Sequence, residues 1–136
     1  MFILICTPVI GYNQYFNGNL QLGKVRGLIN QVPSKYFRGL SSIYLFEGNC
    51  DIQQMYLSGV IQNNGYFYYE YKIHNGRIHN SRSEIYLCNL GQYKYNGDEY
   101  GLLGTIYHEV GHLYQFNVLE QINLSEEFAN TFTNDW

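Results

Sequence analysis

Four Asn-Gly pairs divide this chain of 136 residues into segments with different hydrophobic patterns. The pairs stand at 17–18, 64–65, 75–76 and 96–97. Because Asn and Gly both tolerate positive φ, each pair predicts a turn between regular elements. The length is enough for one domain and short for two, so we expect a single domain over residues 1–136.

The hydrophobic patterns predict helices towards both ends of the chain and strands between them. Apolar residues at helical spacing predict a first helix over 19–31, with Asn19 as its cap and Pro33 at its end. Three segments have the composition of strands: SSIYLFEG, GYFYYEYKI and SEIYLCNL. Helical spacing returns over 99–117 and again in NLSEEFANTFTNDW. This order predicts an α+β fold, in which a small, mostly antiparallel sheet packs on an N-terminal helix and two C-terminal helices.

The composition argues against several classes of partner. Hydrophobic residues make up 46 % of the chain and aromatic residues 18 %, so a buried core is expected and wholesale disorder is not. The net charge of −3, with only eight Lys and Arg, provides no basic surface for nucleic acid. No apolar run reaches the roughly 18 residues that span a bilayer, so we expect no membrane span.

The N-terminus and the cysteines bear on the cellular compartment. The segment MFILICTPVIGY has no basic residue before its apolar run, so it lacks the layout of a signal peptide and is interpreted as a buried strand or arm. Cys6, Cys50 and Cys88 form no CxxC pair and are interpreted as buried, unpaired small hydrophobes. Together these features favour the cytoplasm slightly and leave the compartment open.

The segment HEVGH within the 99–117 helix has the pattern of a zinc peptidase. His108 and His112 lie one turn apart on the same face, so two imidazole nitrogens can bind one zinc ion. Glu109 is offset by about 100° from His108. That position suits a general base that takes a proton from a water activated by zinc. We expect the histidines to face a cleft, because the apolar stripe of this helix lies opposite, at Leu102, Ile106, Val110 and Leu113. The competing interpretation is a solvated helix face with two surface histidines.

The third zinc ligand is sought among downstream carboxylates, because no histidine follows His112. Glu120 is too close to the HEVGH helix, and Asp135 lies next to a terminus that is expected to fray. Two glutamates remain, Glu126 and Glu127, at the start of the next helix.

Helix geometry favours Glu126 over Glu127 without deciding between them. Glu126 shares a face with Asn130, away from the apolar stripe of Leu124, Phe128 and Phe132. Asn130 is a candidate for orienting His108 or His112 through a contact with the imidazole ring and not with the metal. A structural interpretation of Glu126 is also available, since it forms a possible capping box with Asn123.

The order HEVGH followed by SEEFANTF resembles the gluzincin clan of zinc metallopeptidases. It is similar to the small single-domain minigluzincins and to the catalytic domains of anthrax lethal factor and the Pro-Pro endopeptidases. Those proteins read H-E-x-G-H and then E-x-F-A-x-x-F, which here falls on Glu126, Phe128, Ala129 and Phe132. The motif resemblance covers residues 101–132, and before them only the order of elements agrees. It implies a zincin-like fold, Zn²⁺ as cofactor and Glu126 as the third ligand. Many clan members use a Tyr or His to stabilise the oxyanion, and no residue is assigned to that role here.

These observations predict a zinc-dependent endopeptidase. The substrate is expected to be a peptide or protein bound along a strand edge, formed by GYFYYEY or by residues 84–88. The alternative is a non-catalytic or latent binding module with a structural or vestigial zinc site. His74 and His79 are interpreted as solvated residues at a hairpin tip. The sequence indicates neither the cleavage specificity nor the oligomeric state.

Overall fold

The computed structural model describes residues 9–11, 22–51, 60–61, 64–93 and 99–134, which form two sheets and a set of helices. The strands are β1 (Val9–Gly11), β2 (Ser42–Leu45), β3 (Cys50–Asp51), β4 (Val60–Ile61), β5 (Gly65–His74) and β6 (Arg77–Leu87). The α-helices are α1 (Leu22–Gln31), α2 (Glu99–Asn117) and α3 (Glu126–Asn134), with short 3-10 helices at Ser34–Phe37 and Leu90–Gln92. None of these helices combines the length and the apolar character that a bilayer crossing requires.

The main sheet has the strand order β1-β2-β6-β5 and is mixed. β1 and β2 are parallel, β2 and β6 are parallel, and only β5 and β6 are antiparallel. The α+β class is therefore confirmed, but the prediction of a mostly antiparallel sheet was wrong. The reason is the connectivity: β1 returns to β2 through α1, and such a crossover makes neighbouring strands parallel. β3 and β4 form a separate antiparallel pair.

The β5–β6 hairpin is the longest strand pairing of the described sheet. Asn75 and Gly76 form its two-residue turn, with φ values of 53° and 75°, and His74 pairs with Arg77 across it. The turn predicted at this Asn-Gly pair is confirmed, and His74 and His79 are exposed near the tip, as expected. The pairs at 17–18 and 96–97 lie outside the described residues.

The core lies between one face of the main sheet and the helices α1 and α2. The predicted α2 helix has the bounds expected from its periodicity, and its apolar stripe is buried. The sheet contributes Ile43, Leu45, Phe67, Ile85 and Leu87, and the helices contribute Val25, Leu28, Ile29, Leu102, Ile106, Val110, Leu113 and Phe116. The first helix begins at Leu22 in the structure, and its predicted cap Asn19 lies outside the described residues. Because both helices pack on the sheet, α2 is fixed along its length beside β5.

A disulfide joins Cys50 and Cys88, whose Cα atoms are 5.3 Å apart. Both residues are fully buried, as expected, but the prediction that they are unpaired was wrong. Cys50 begins β3 and Cys88 directly follows β6. The segments that leave the ends of the parallel strands β2 and β6 lie side by side, which no sequence spacing reveals. The argument from unpaired cysteines for a non-oxidising compartment therefore does not hold for this pair. Cys6 lies outside the described residues.

Candidate metal centre

The two histidines of HEVGH converge on one carboxylate from α3. Nε2 of His108 lies 2.7 Å from Oε2 of Glu126, and Nε2 of His112 lies 3.1 Å from Oε1 of the same residue. One ligand atom from each of the three residues lies within 4.8 Å of the others. The sequence-predicted ligands are thus brought together, each presenting the atom that would face a metal ion.

The packing of α3 on α2 explains why Glu126 reaches the histidines. Tyr114 on α2 stacks on Phe128 on α3, with ring centroids 6.3 Å apart, and Ala129 is fully buried between the elements. Ser125 caps α3, because its Oγ accepts a hydrogen bond from the backbone N–H of Phe128. Glu126 is therefore the first residue of the helix, and its carboxylate extends towards α2.

The geometry of the two imidazoles suits ligation better than a solvated surface. Their rings are perpendicular, with centroids 5.0 Å apart, so the two Nε2 atoms point to a common volume from different directions. The His112 side chain is only 6 % exposed, whereas His108 is 22 % exposed and Glu126 is 74 % exposed. The interpretation of two solvated surface histidines therefore fails for His112.

Burial and mutual contacts shift the ionisation of this cluster. Burial lowers the pKa of His112, and His108 acts in the same direction, against the opposing effect of Glu126. Partial burial works against ionisation of Glu126, but the two histidines outweigh it and hold the pKa of this carboxyl below its ordinary value. A neutral imidazole and an ionised carboxylate are the forms in which these side chains bind metal.

Glu109 lies beside the cluster as a buried carboxyl group. It is 4 % exposed, and burial raises its pKa to about 8, with a further contribution from the charge of Glu126. A carboxyl group with a pKa near neutrality can both take up and release a proton, which is what a general base that later acts as an acid requires.

Strand β5 comes into close contact with Glu109 at Gly65. A Cβ atom at this position would lie 2.7 Å from Oε2 of Glu109 and 3.0 Å from its Cγ. Only a residue without a side chain fits there without moving the carboxylate. The second Asn-Gly pair of the sequence therefore places the start of β5 directly against the candidate base.

An open cavity of about 750 Å³ contains the cluster. One wall comes from the start of β5, another from α2, and a third from α3 and the segment before it. Its lining residues include Asn64, Gly65, Tyr66, Phe67, Tyr69, Gly101, Gly104, Thr105, His108, Glu109, His112, Leu124, Glu126 and Asn130. The expected cleft is therefore present, and Asn130 faces it beside Glu126.

The other candidates for the third ligand have different surroundings. Glu120 lies in the loop after α2 and forms a two-atom contact with Arg77, at 2.7 and 3.1 Å. Glu127 belongs to the first turn of α3 but not to the metal-capable cluster. Asp135 lies outside the described residues. The possible capping box of Asn123 with Glu126 was wrong, because α3 begins one residue after Ser125, which is the cap.

Sequence reasoning did not identify three residues that shape the site. Gly65 was seen as part of a turn and not as a contact of Glu109. Tyr69 donates a hydrogen bond from its hydroxyl to the backbone oxygen of Ile122, at 2.6 Å, and so ties β5 to the loop before α3. Gln115 is buried at the end of α2 and contacts the same loop. Such contacts join distant parts of the chain and leave no local sequence signal.

Comparison with known proteins identifies no relative of this chain. The chain matches no family model, no curated protein and no solved structure. The function of the site is therefore argued from its geometry and chemistry.

Proposed function

We propose that this chain is a zinc-dependent endopeptidase. His108, His112 and Glu126 are the proposed zinc ligands, and Glu109 is the proposed general base. The observation that carries the proposal is the convergence of both Nε2 atoms on the Glu126 carboxylate beside a buried glutamate, in one open cavity. The resemblance of HEVGH and SEEFANTF to gluzincins agrees with the same assignment.

The donor set fits zinc. Two imidazole nitrogens and one carboxylate oxygen are the ligands of many catalytic zinc sites, which leave a further position open for water or substrate. Nε2 of His112 faces Glu126, and its Nδ1 is buried without a hydrogen-bond partner among the described residues, so Nε2 is the ring nitrogen available to a metal ion. A bound zinc ion supplies Lewis acidity, which lowers the pKa of a water molecule and polarises a carbonyl group.

Glu109 is proposed to move the proton of the reaction. Its carboxylate takes a proton from the attacking water and then gives that proton to the nitrogen of the leaving amine. Its burial and its contact with Gly65 hold the carboxylate at one place on the cavity wall. General acid–base catalysis of this kind contributes about 10²- to 10⁴-fold to the rate.

The proposed substrate is an extended peptide that pairs with β5. In the described sheet β5 pairs only with β6, so its other side is an edge, and Gly65, Tyr66, Phe67 and Tyr69 bring that strand to the cavity. Residues 84–87 lie in β6, which is paired on both sides with β2 and β5. Of the two segments considered from the sequence, only GYFYYEY is therefore available for strand addition.

The proposal is tested by zinc content and peptide cleavage together. Zinc is measured by mass spectrometry on wild type, Glu126→Ala and, as the matched control, Glu127→Ala. We expect one zinc per chain in wild type and in Glu127→Ala, and its loss in Glu126→Ala. Cleavage of a mixed peptide library by wild type, abolished in Glu109→Gln, is the expected result for an endopeptidase. Absence of zinc from the wild type, or cleavage that persists in Glu109→Gln, contradicts the proposal.

A non-catalytic module with a structural zinc site is the second candidate. One observation favours it: the hydroxyl of Tyr69, a tyrosine on the cavity wall, is engaged by the backbone oxygen of Ile122. That hydroxyl is not free to stabilise an oxyanion in this arrangement. Stoichiometric zinc without any cleavage of the peptide library is the result expected for this alternative.

A further inference from the structure

Gln115 joins the helix that carries the histidines to the start of the helix that carries Glu126. It is one of the buried polar residues of the described core, with 3 % of its surface exposed. Its Nε2 donates a hydrogen bond to Oε1 of Gln121 at 2.9 Å, and its Oε1 accepts one from the backbone N–H of Ser125 at 3.1 Å. The backbone oxygen of Gln115 also accepts the N–H of Gln121, at 3.1 Å.

These contacts fix the position at which α3 begins. Ser125 receives the Gln115 contact through its N–H and caps α3 through its Oγ, and Glu126 is the next residue. A displacement of Ser125 therefore moves the backbone of Glu126 directly. A buried amide that uses both its donor and its acceptor holds a loop more narrowly than an apolar side chain of the same size, because each unmade hydrogen bond has a cost.

Gln115 also stands one helical turn beyond His112, on the same side of α2. Nδ1 of His112 is buried and has no hydrogen-bond partner among the described residues, and the nearby Gln115 side chain acts to raise the pKa of this imidazole. When a histidine binds a metal through Nε2, Nδ1 carries a proton and needs an acceptor. The Gln115 carbonyl oxygen has two lone pairs, one of which is used by Ser125, and the other is available to His112.

We propose that Gln115 is the positioning residue of the metal centre, setting the orientation of His112 and the place of Glu126 with one side chain. This inference rests on the proposed zinc site and not on catalysis. It also assigns to Gln115 the role for which Asn130 was considered from the sequence.

The test is zinc affinity, measured by competition with a chromogenic chelator on three variants. Gln115→Met keeps the length and burial of the side chain and removes both hydrogen-bonding groups. Gln115→Glu keeps the acceptor oxygens, and the Gln121 amide can turn to donate to it. Gln121→Ala is the matched control, because it removes one exposed partner and leaves the contacts of Gln115 with Ser125 and His112. The visible spectrum of the cobalt-substituted protein reports on ligand geometry, and thermal unfolding of the metal-free protein reports on stability.

We expect Gln115→Met to weaken zinc binding by about 10- to 100-fold and to change the cobalt spectrum. Gln115→Glu and Gln121→Ala should remain within about threefold of wild type, since the acceptor at His112 and Ser125 is kept in both. If Gln115→Met does not fold, Gln115→Asn takes its place with the same expectation, because its shorter amide cannot reach both partners.

Wild-type zinc affinity and an unchanged cobalt spectrum in Gln115→Met would overturn the inference. That holds even if the metal-free variant is less stable, because Gln115 would then have a structural role alone. Zinc binding that depends on Gln115 in a protein that cleaves no peptide supports this inference while the peptidase proposal fails. Failure of the wild type to bind zinc overturns both.

Discussion

Two buried glutamates on different sides of the main sheet have opposite surroundings. Glu84 on β6 is 3 % exposed and Glu109 on α2 is 4 % exposed. Glu84 accepts hydrogen bonds from the hydroxyls of Tyr44 and Tyr86, at 2.8 and 2.9 Å, and pairs with Arg82 at 2.7 Å. Glu109 takes part in none of the ion pairs of the described residues and lies on the wall of a cavity.

The difference shows how burial alone fails to identify a functional carboxylate. A buried charge is normally tolerated because it is paired and hydrogen-bonded, and Glu84 meets that condition. Burial of the Tyr86 ring, together with its contact with Glu84, raises the pKa of the tyrosine, so the hydroxyl stays a donor. Glu109 has a raised pKa, no ion-pair partner among the described residues and a cavity beside it, which is the combination expected of a group that exchanges protons with a ligand.

The largest effect that separates the two residues is expected in catalysis. Glu109→Gln should lower kcat for peptide cleavage by about 10²- to 10⁴-fold, because the amide cannot accept the proton of the attacking water. Zinc content should stay at the wild-type level, which shows that the site is still formed. Glu84→Gln serves as the control and should cleave peptide at the wild-type rate at temperatures where it is folded. Equal losses of kcat in Glu109→Gln and Glu84→Gln would contradict the distinction between a catalytic Glu109 and a structural Glu84.

The next largest effect is expected in stability, where the substitution of Glu84 should have the larger effect and that of Glu109 the smaller. Glu84→Gln should lower the free energy of unfolding by about 3 kcal/mol, because Arg82 loses its buried partner and one tyrosine hydroxyl loses its acceptor. Glu109→Gln should not destabilise the metal-free protein, since no cation of the described part of the chain pairs with the carboxyl. Urea unfolding of both variants and the wild type measures the difference. A larger loss in Glu109→Gln would show that Glu109 has a structural role.

A third effect is expected from the contact between β5 and Glu109. Gly65→Ala should lower kcat by up to about 10²-fold, because the new methyl group forces the carboxylate away from its place. The fold should tolerate the change, since the displaced atoms are the end of one side chain. Gly27→Ala on α1, where a Cβ meets no atom within 4 Å, is the control and should leave kcat unchanged. Unfolding curves taken alongside the rates check that Gly65→Ala is folded, and a rate equal to wild type would contradict the contact.

The smallest effect is the pH dependence of stability in the metal-free protein. The folded-state pKa of Glu109 is about 8 and its ordinary value is 4.5, so the folded chain holds a proton that the unfolded chain releases. The stabilising contribution of the Glu109 carboxyl is complete below pH 4.5 and is lost as the pH rises towards 8. Between pH 6 and pH 7, the free energy of unfolding of the wild type should therefore fall by about 1.4 kcal/mol relative to that of Glu109→Gln. A difference that does not change with pH would mean that the carboxyl is already solvated.

Local patterns in the sequence were sufficient for the helices and for part of the site. The bounds of α2 follow from periodicity, and the preference for Glu126 over Glu127 followed from which side of α3 carries the apolar stripe. The hairpin turn followed from Asn75 and Gly76, whose backbone conformations few other residues adopt. In each case residues a few positions apart determine the outcome.

Features that depend on distant residues were missed. The parallel pairing of β2 with β6 and the disulfide of Cys50 with Cys88 join segments that only the folded topology brings together. Gln115 was not assigned a role from the sequence, because only the folded loop brings its partners Gln121 and Ser125 beside it. The capping residue was misplaced by two positions for the simpler reason that Asn and Ser are both good caps.

The disulfide between Cys50 and Cys88 has a consequence for the topology of the chain. It closes a covalent ring, with its two cysteines separated by 38 positions in the sequence, that contains the whole β5–β6 hairpin and Gly65. The proposed zinc ligands and Glu109 lie outside the ring. Closing a loop of this length lowers the conformational entropy of the unfolded chain, which corresponds to roughly 4 kcal/mol in the chain-entropy description. A thiol reductant therefore opens the ring that carries the strand with which the peptide is proposed to pair, and it breaks no bond in the segments that carry the proposed zinc ligands.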